Sequence, residues 1–233
     1  MISIVIPTYN ERENIIPLIV AIGNACTAHN IDYEIIIIDD NSPDSTGKYI
    51  QEKFPENKRV RCFIRNTERG LGTAILFGIT HARGDIIVGM DADFNHPPEA
   101  IPTLVRALRE QKGDMIVGSR FVKGGGMYGT IRWLGSRVVN LLLQILFGFP
   151  IHDNLSGYYA IHRSTLHKMN LKTIYSGYGE YHMRLVWYVG RVHKLHIHEI
   201  PVFFGKRLHG SSKSDLLNML ISYFSEAWAL TRL

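Results

Sequence analysis

Apolar and polar residues follow one another in blocks along the first hundred positions. Ile2-Ser3-Ile4-Val5-Ile6 is an apolar run that stops at Pro7-Thr8-Tyr9-Asn10-Glu11. Tyr33 to Ile38 is apolar at nearly every position and stops at Asp39-Asp40-Asn41-Ser42-Pro43. Further runs lie near 60–65 and at 85–90, the last closing on Asp91-Ala92-Asp93. Runs this short, rich in β-branched side chains and bounded by turn formers, predict strands buried on both faces. Helices are predicted between them, over about 14–29, 45–54 and 72–82, with Pro17 tolerated in a first turn. Strands alternating with helices predict a mostly parallel α/β sheet joined by right-handed crossovers.

The second half reads differently. A helix over about 98–111 leads to a strand at 115–117 and to the glycine loop Lys123-Gly124-Gly125-Gly126. Residues 136–149 form a strongly apolar helix that Asn140, Gln144, Gly148 and Pro150 keep too short to cross a bilayer. It fits a core position or a membrane surface equally well. A polar loop, His152 to Gly157, runs into a strand, and a Gly-Tyr loop at 175–180 opens a helix to about 188. Alternation over 193–198 predicts a strand with His196 and His198 on one face, although no third ligand at fixed spacing supports a metal there. From Ser214 onward, Leu216, Leu217, Leu220, Ile221, Phe224 and Trp228 fall on one helical stripe. The expected division is one main domain over 1–213 and an amphipathic helix over 214–233.

With 233 residues, 45% hydrophobic and 20% charged, the chain suits one α/β domain and excludes a disordered polymer. A net charge of +5 fits an anionic partner. The basic residues are scattered and carry no nucleic-acid-binding motif, so nucleic acid is not the expected partner. Cys26 and Cys62 match no metal or redox spacing, which points to reduced thiols and a cytoplasmic setting. Met1 leads directly into a strand, so no signal peptide is expected.

Candidate chemistry gathers after the first, second and fourth strands, at the carboxyl edge where open α/β sheets bind ligands. No Gly-x-Gly-x-x-Gly and no Walker loop is present to hold phosphate. Asp91 and Asp93, at i and i+2, project to one side of extended backbone. Their mutual repulsion calls for a cation, and hard Mg²⁺ or Mn²⁺ with phosphate oxygens is the usual solution. Gly70-Leu71-Gly72 could bring a helix N-terminus to a ligand. Arg132 and Ser136 share a helical face. Lys206, Arg207, His209 and Lys213 form a basic cluster.

Six segments then make a specific set: Ile6 to Glu11, Ile38 to Ser42, Met90 to Glu99, Gly118-Ser119-Arg120, Ser156 to Tyr159 and Arg207 to Lys213. In order and spacing they resemble the GT-A-fold family 2 glycosyltransferases, and within these the dolichyl- and polyprenyl-phosphate mannosyltransferases. The resemblance implies a Rossmann-like sheet flanked by helices. It also implies that Pro7, Tyr9, Glu11, Ile38 and Asp40 hold the nucleotide, with Asp91 and Ala92 beside it. Asp91 and Asp93 would bind the metal; Asn95 stands where relatives often carry Gln as a further ligand. Arg120, Arg132 and Ser136 match acceptor-phosphate positions, and Arg207 with Lys213 the pair that closes on donor phosphates. Asp91, Asp93 and Arg120 are the expected catalytic set. Ser211 departs from the Glu common in relatives. The implied reaction moves mannose from GDP-mannose to a polyprenyl or dolichyl phosphate with inversion.

Many relatives continue into transmembrane helices, whereas this chain ends at Leu233. It resembles the short members that work peripherally on the cytoplasmic face of the membrane, or with a membrane-protein partner. Three alternatives stand beside this reading. One is polyprenyl-phosphate glucosyl transfer from UDP-glucose. Another is transfer to a sugar hydroxyl, with Asp153 or Glu180 as base. The third is a non-catalytic binding subunit.

Overall fold

The computed structural model describes residues 1–209 and 216–233, with residues 216 and 217 described by backbone alone. Lys213, Ser211 and the expected domain boundary at 213/214 therefore lie outside the described residues.

The strands are β1 (Ile2–Thr8), β2 (Tyr33–Asp39), β3 (Val60–Ile64), β4 (Ile86–Gly89), β5 (Met115–Ser119), β6 (Gly126–Met127), β7 (Tyr159–His162), β8 (Ile197–Pro201) and β9 (Phe203–Phe204). The helices are α1 (Arg12–Ala28), α2 (Thr46–Lys53), α3 (Leu71–His81), α4 (Ile101–Arg109), α5 (Thr130–Phe147), α6 (Arg163–Leu166), α7 (Leu171–Ile174), α8 (Glu180–Trp187) and α9 (Leu216–Leu230). Among the described residues, seven strands form one sheet in the order β3-β2-β1-β4-β7-β5-β8. β1 to β4 pair in parallel, β7 runs antiparallel to β4 and β5, and β8 is parallel to β5. This is the mostly parallel, helix-flanked sheet expected from the sequence.

The period of two along each strand explains the near-continuous apolar runs. Ile4 and Ile6 of β1 and Ile35 and Ile37 of β2 face Ile15, Leu18 and Ile22 of α1 and Leu104 and Leu108 of α4. Val5, Ile36 and Ile38 face the other way, onto Ile75 and Ile79 of α3. Helix α3 lies so close to the sheet that a methyl at Gly78 would meet Val5 Cγ1 at 2.5 Å and Ile38 Cδ1 at 2.6 Å. Glycine is required there by contact, not by dihedral angle.

Several boundaries differ from expectation, each for a physical reason. α1 starts at Arg12, so Pro17 sits past the first turn; it is exposed, and water can serve the carbonyl its missing N–H leaves free. The strand expected over 193–198 occupies Ile197–Pro201, leaving His196 outside it. α5 begins at Thr130 and ends where Gly148 adopts left-handed backbone (φ 69°), donating to Gln144 O while Phe149 N–H reaches Leu143 O.

A core position for α5 is excluded. Within it only Asn140 and Leu143 are buried, while Ile131 is 90% exposed, Ile145 69% and Leu146 61%. α9 also departs from its expected stripe. It packs on α8 and α5 through Tyr223, Ala227 and Leu230, whereas Ile221 and Trp228 point outward. Among the described residues no helix is long and apolar enough to cross a membrane.

Candidate functional site

A cavity of about 500 Å³ opens along the carboxyl edge of the parallel strands. Its near wall stands over β1 and β2 and contains Pro7, Tyr9, Glu11 and Asp40. Asp91, Ala92, Asp93 and Asn95, after β4, form the floor with Arg207. The far wall comes from Ser156 and Gly157 before β7, from Tyr181 and His182 of α8, from Tyr223 of α9 and from Arg132 of α5.

The near wall is cross-linked by polar bonds. Asp40 receives Arg65 Nε at 2.6 Å and the Gly70 N–H at 2.9 Å. Arg65 also donates to Thr73 Oγ1 and the Gly70 carbonyl, tying the 66–70 loop to the end of β2. Arg69 lies over the Tyr9 ring at 5.4 Å. Glu11 accepts from Asn14 Nδ2 at 2.7 Å and faces Arg207 at 3.6 Å.

The acidic pair does not sit on the strand. β4 stops at Gly89, and Asp91 and Asp93 occupy the turn that follows, with Phe94 in left-handed backbone (φ 65°). Both still reach the cavity, but their settings differ. The Asp93 side chain is 5% exposed and is held by the Asn95 N–H at 2.9 Å, Asn95 Nδ2 at 2.6 Å and Arg207 Nη2 at 2.5 Å. The Asp91 side chain is 43% exposed and faces the cavity. Burial by the surrounding walls holds its carboxyl above the usual range; His96 opposes that rise and Asp93 adds to it.

His96 fixes this turn. Its Nδ1 accepts the Asp91 N–H at 2.9 Å and its Nε2 faces the Ser156 carbonyl at 3.1 Å. The ring stacks on Tyr158 at 4.8 Å and meets Phe204 edge-on. One imidazole thus joins the floor to the far wall through both of its ring nitrogens.

Three expected site residues are not brought to the cavity. Ile38 is buried beneath α3 on the apolar face of the sheet. Ser136 lies one turn along α5 from Arg132 and does not line the cavity. Arg120 is 8% exposed, with Nε and Nη2 donating to Asp153 at 2.8 and 2.6 Å between the rings of Phe121 and Phe204. Nε and Nη2 are taken up by that bidentate pair with the fully buried Asp153. Glu180 is likewise engaged, accepting from Ser222 Oγ and the Tyr178 N–H. Burial would raise its pKa, but these bonds outweigh it and the carboxyl lies below the usual range.

Sequence reading missed Arg65, the cavity role of Tyr181, His182 and Tyr223, and the structural part of His96. The last was visible as the His of His96-Pro97-Pro98-Glu99. The tyrosines and His182 lie on helices and match no motif.

Two carboxylates and a carboxamide are hard oxygen-bearing groups that suit Mg²⁺ or Mn²⁺. Among the described residues no group of three or more His, Cys, Asp or Glu could hold an ion alone. Further oxygens must come from a ligand or water, which is the habit of Mg²⁺ at phosphate sites.

The comparisons with known proteins agree with this architecture. The family model described as glycosyl transferase family 2 matches residues 3–169. A dolichol-phosphate mannosyltransferase of Pyrococcus furiosus is 36% identical over 219 residues, covering 91% of this chain; the chain spans only 58% of that relative's length. Its counterpart in Mycosarcoma maydis is 33% identical, with 91% and 73% covered. A polyprenol monophosphomannose synthase of Mycolicibacterium smegmatis is 34% identical, with 97% and 86% covered. Among solved structures, glucosyl-3-phosphoglycerate synthase of Mycobacterium tuberculosis, in complex with Mn²⁺, UDP-glucose and phosphoglyceric acid, superposes with a TM-score of 0.72. It is 21% identical and is matched over 100% of this chain and 80% of its own. At that identity the likeness concerns the fold alone.

Proposed function

The chain belongs to glycosyl transferase family 2, and from that premise we propose that it moves mannose from GDP-mannose to a polyprenyl or dolichyl phosphate with inversion. The observation that carries this reading is the junction of the cavity with α5. Arg132 lines the cavity from the first turn of a helix whose outer face exposes Ile131, Leu134, Leu141, Ile145 and Leu146. A cation at the cavity mouth beside a bare apolar face suits an acceptor that is phosphate at one end and hydrocarbon at the other. The three relatives named above support mannose and a lipid phosphate.

In this reading Pro7, Tyr9, Glu11, Asp40 and Ala92 receive the nucleotide. Arg207 faces the donor diphosphate, to which the resemblance also assigns Lys213, and Arg132 holds the acceptor phosphate. Asp91 and Asp93, with Asn95, would hold Mg²⁺ or Mn²⁺. Bound there, the ion supplies Lewis-acid neutralisation of the departing diphosphate.

An acceptor phosphate oxygen attacks the anomeric carbon from the face opposite the diphosphate. The new C–O bond forms as the old one breaks, turning an α-linked donor into a β-linked lipid phosphosugar. A phosphate monoester is largely dianionic at neutral pH and needs no base. The occupied carboxylates of Asp153 and Glu180 accord with that and count against a hydroxyl acceptor. The protein's work is to gather two mutually repelling anions and align them.

Attachment follows from the same surface: α5 and the outward Ile221 and Trp228 of α9 lie in the interface at the cytoplasmic face of the membrane, alone or beside a membrane-protein partner. The test is an assay with polyprenyl phosphate and labelled GDP-mannose or UDP-glucose, with and without Mn²⁺. Metal-dependent mannosyl transfer giving a β-linked product is expected. Transfer from UDP-glucose alone would favour the glucosyltransferase alternative, and an α-linked product would overturn inversion.

A further inference from the structure

Of the described residues with a buried side-chain polar atom that lacks a partner, His182, through Nε2, is the one that lines the cavity. His182 is 1% exposed. Its Nδ1 lies 3.0 Å from the Asn154 carbonyl, which can only accept, so Nδ1 carries the hydrogen. Burial keeps the ring neutral, its pKa pushed down to about 4 against the pull of Asn154 and Asp153. Nε2 is therefore a bare lone pair, able to accept a hydrogen bond and unable to donate one.

Its mount is rigid. The Asn154 N–H is held by Asn140 Oδ1 at 2.7 Å, and Asn154 Nδ2 by the Ile151 carbonyl at 2.7 Å. Asn140 is itself buried in α5. Buried acceptors without partners are rare and unfavourable, and one kept on a residue that lines a cavity points to a donor brought by a ligand.

The order of strands says which part of the ligand that is. Along the carboxyl edge, Asp40 follows β2, Pro7 to Glu11 follow β1, and Asp91 to Asn95 follow β4. Ser156 and Gly157 come next, before β7, with His182 held to the same loop. A nucleoside over β2 and β1 with its diphosphate over β4 places the sugar over the β7 loop. We propose that His182 Nε2 accepts a hydrogen bond from one ring hydroxyl of the transferred hexose and thereby selects the sugar. The assignment rests on the donor reading above.

The test uses the whole protein and a series of GDP-mannose analogues, each with a single ring hydroxyl replaced by fluorine, which cannot donate. In the wild type one analogue should bind roughly tenfold more weakly than GDP-mannose. His182→Asn keeps a donor for the Asn154 carbonyl and removes the Nε2 acceptor. It should bind GDP as the wild type does, bind GDP-mannose roughly tenfold more weakly, and lose its discrimination against that one analogue. Two results overturn the proposal: a wild type indifferent to every fluorine replacement, which needs no variant to read, or equal weakening of GDP and GDP-mannose by His182→Asn. A wild type that binds neither GDP-mannose nor UDP-glucose overturns the donor reading itself, and this assignment with it.

Discussion

The two walls of the cavity are built from different materials. The near wall is polar and local: Asp40, Arg65, Gly70 and Thr73 are bonded to one another at strand ends whose backbone the sheet already fixes. The far wall is aromatic and assembled from distance. Tyr181 and His182 come from α8, Tyr223 from α9 and Arg132 from α5, and the outer surface of α5 is apolar. A hydrophilic nucleotide calls for the first kind of surface; a sugar approached by a lipid phosphate calls for the second. Between them lies the turn at Asp91–Asn95, tied to one side through Arg207 and Glu11 and to the other through His96 and Ser156.

The largest effect should come from breaking that joint. Asp93→Ala removes a proposed ion ligand and leaves Arg207 without its closest carboxylate. Turnover should fall on the order of 10⁴-fold, matching the loss of several kcal/mol of Lewis-acid stabilisation. Single-turnover assays with saturating Mn²⁺ measure it, and unchanged rates would remove the site described here.

Next in size is Arg120, whose buried pair with Asp153 gives it a part in stability. Arg120→Ala strands the fully buried Asp153 carboxylate and should cost about 3–5 kcal/mol in urea unfolding. Replacing both partners, Arg120→Met with Asp153→Leu, should recover most of that. An Arg120→Ala protein of normal stability but weakened acceptor binding would return Arg120 to the cavity.

His182 gives a third test, through pH. Its folded pKa of about 4 lies below the ordinary value of 6.5, so above 6.5 the ring is neutral in both states and there is no penalty. As pH falls from 6.5 towards 4, the unfolded chain binds a proton that the folded one does not, and stability drops. The full loss is about 3 kcal/mol. His182→Asn should flatten that limb in urea titrations between pH 7 and 4. Parallel curves for variant and wild type would show that the ring is not buried neutral.

The same contrast explains what the sequence disclosed. Near-wall and floor residues follow closely on apolar strands, so Tyr9, Asp40, Asp91 and Asp93 could be placed on the carboxyl edge by pattern alone. Ile38 lies apart from the cavity because a strand residue next to Asp39-Asp40 is adjacent in sequence yet turns its side chain to α3. The pairing of Arg120 went unseen because its partner, Asp153, is far along the chain and no spacing announces a buried ion pair. His182 gave no signal: a single histidine in a largely apolar helix reads the same whether its ring is packed away or faces a ligand. Near-continuous apolar runs likewise placed β1 and β2 in the core. It could not tell that the apolar helix at 136–149 turns its greasy side outward, since helical periodicity shows which residues share a face but not what covers it.

That outward face yields the smallest effect, and it separates membrane docking from folding within one helix. Leu143 is fully buried, and truncation to Ala should cost about 2–5 kcal/mol of stability. Ile145, two residues on, is 69% exposed, so Ile145→Ser should change stability by no more than about 0.5 kcal/mol. If α5 lies in the interface, the same change removes an apolar side chain from the bilayer. Partial burial of an isoleucine is worth about 1 kcal/mol, so partition onto phosphatidylglycerol-containing vesicles should weaken roughly fivefold. Leu146→Ser should act alike, and the pair together should weaken binding roughly twenty-five-fold if the two sites are independent. Transfer to a short, water-soluble prenyl phosphate should be untouched, because that acceptor needs Arg132 and no membrane. A protein that floats equally well with vesicles after both changes would show that α5 does not face the lipid, and would leave its apolar surface to a protein partner.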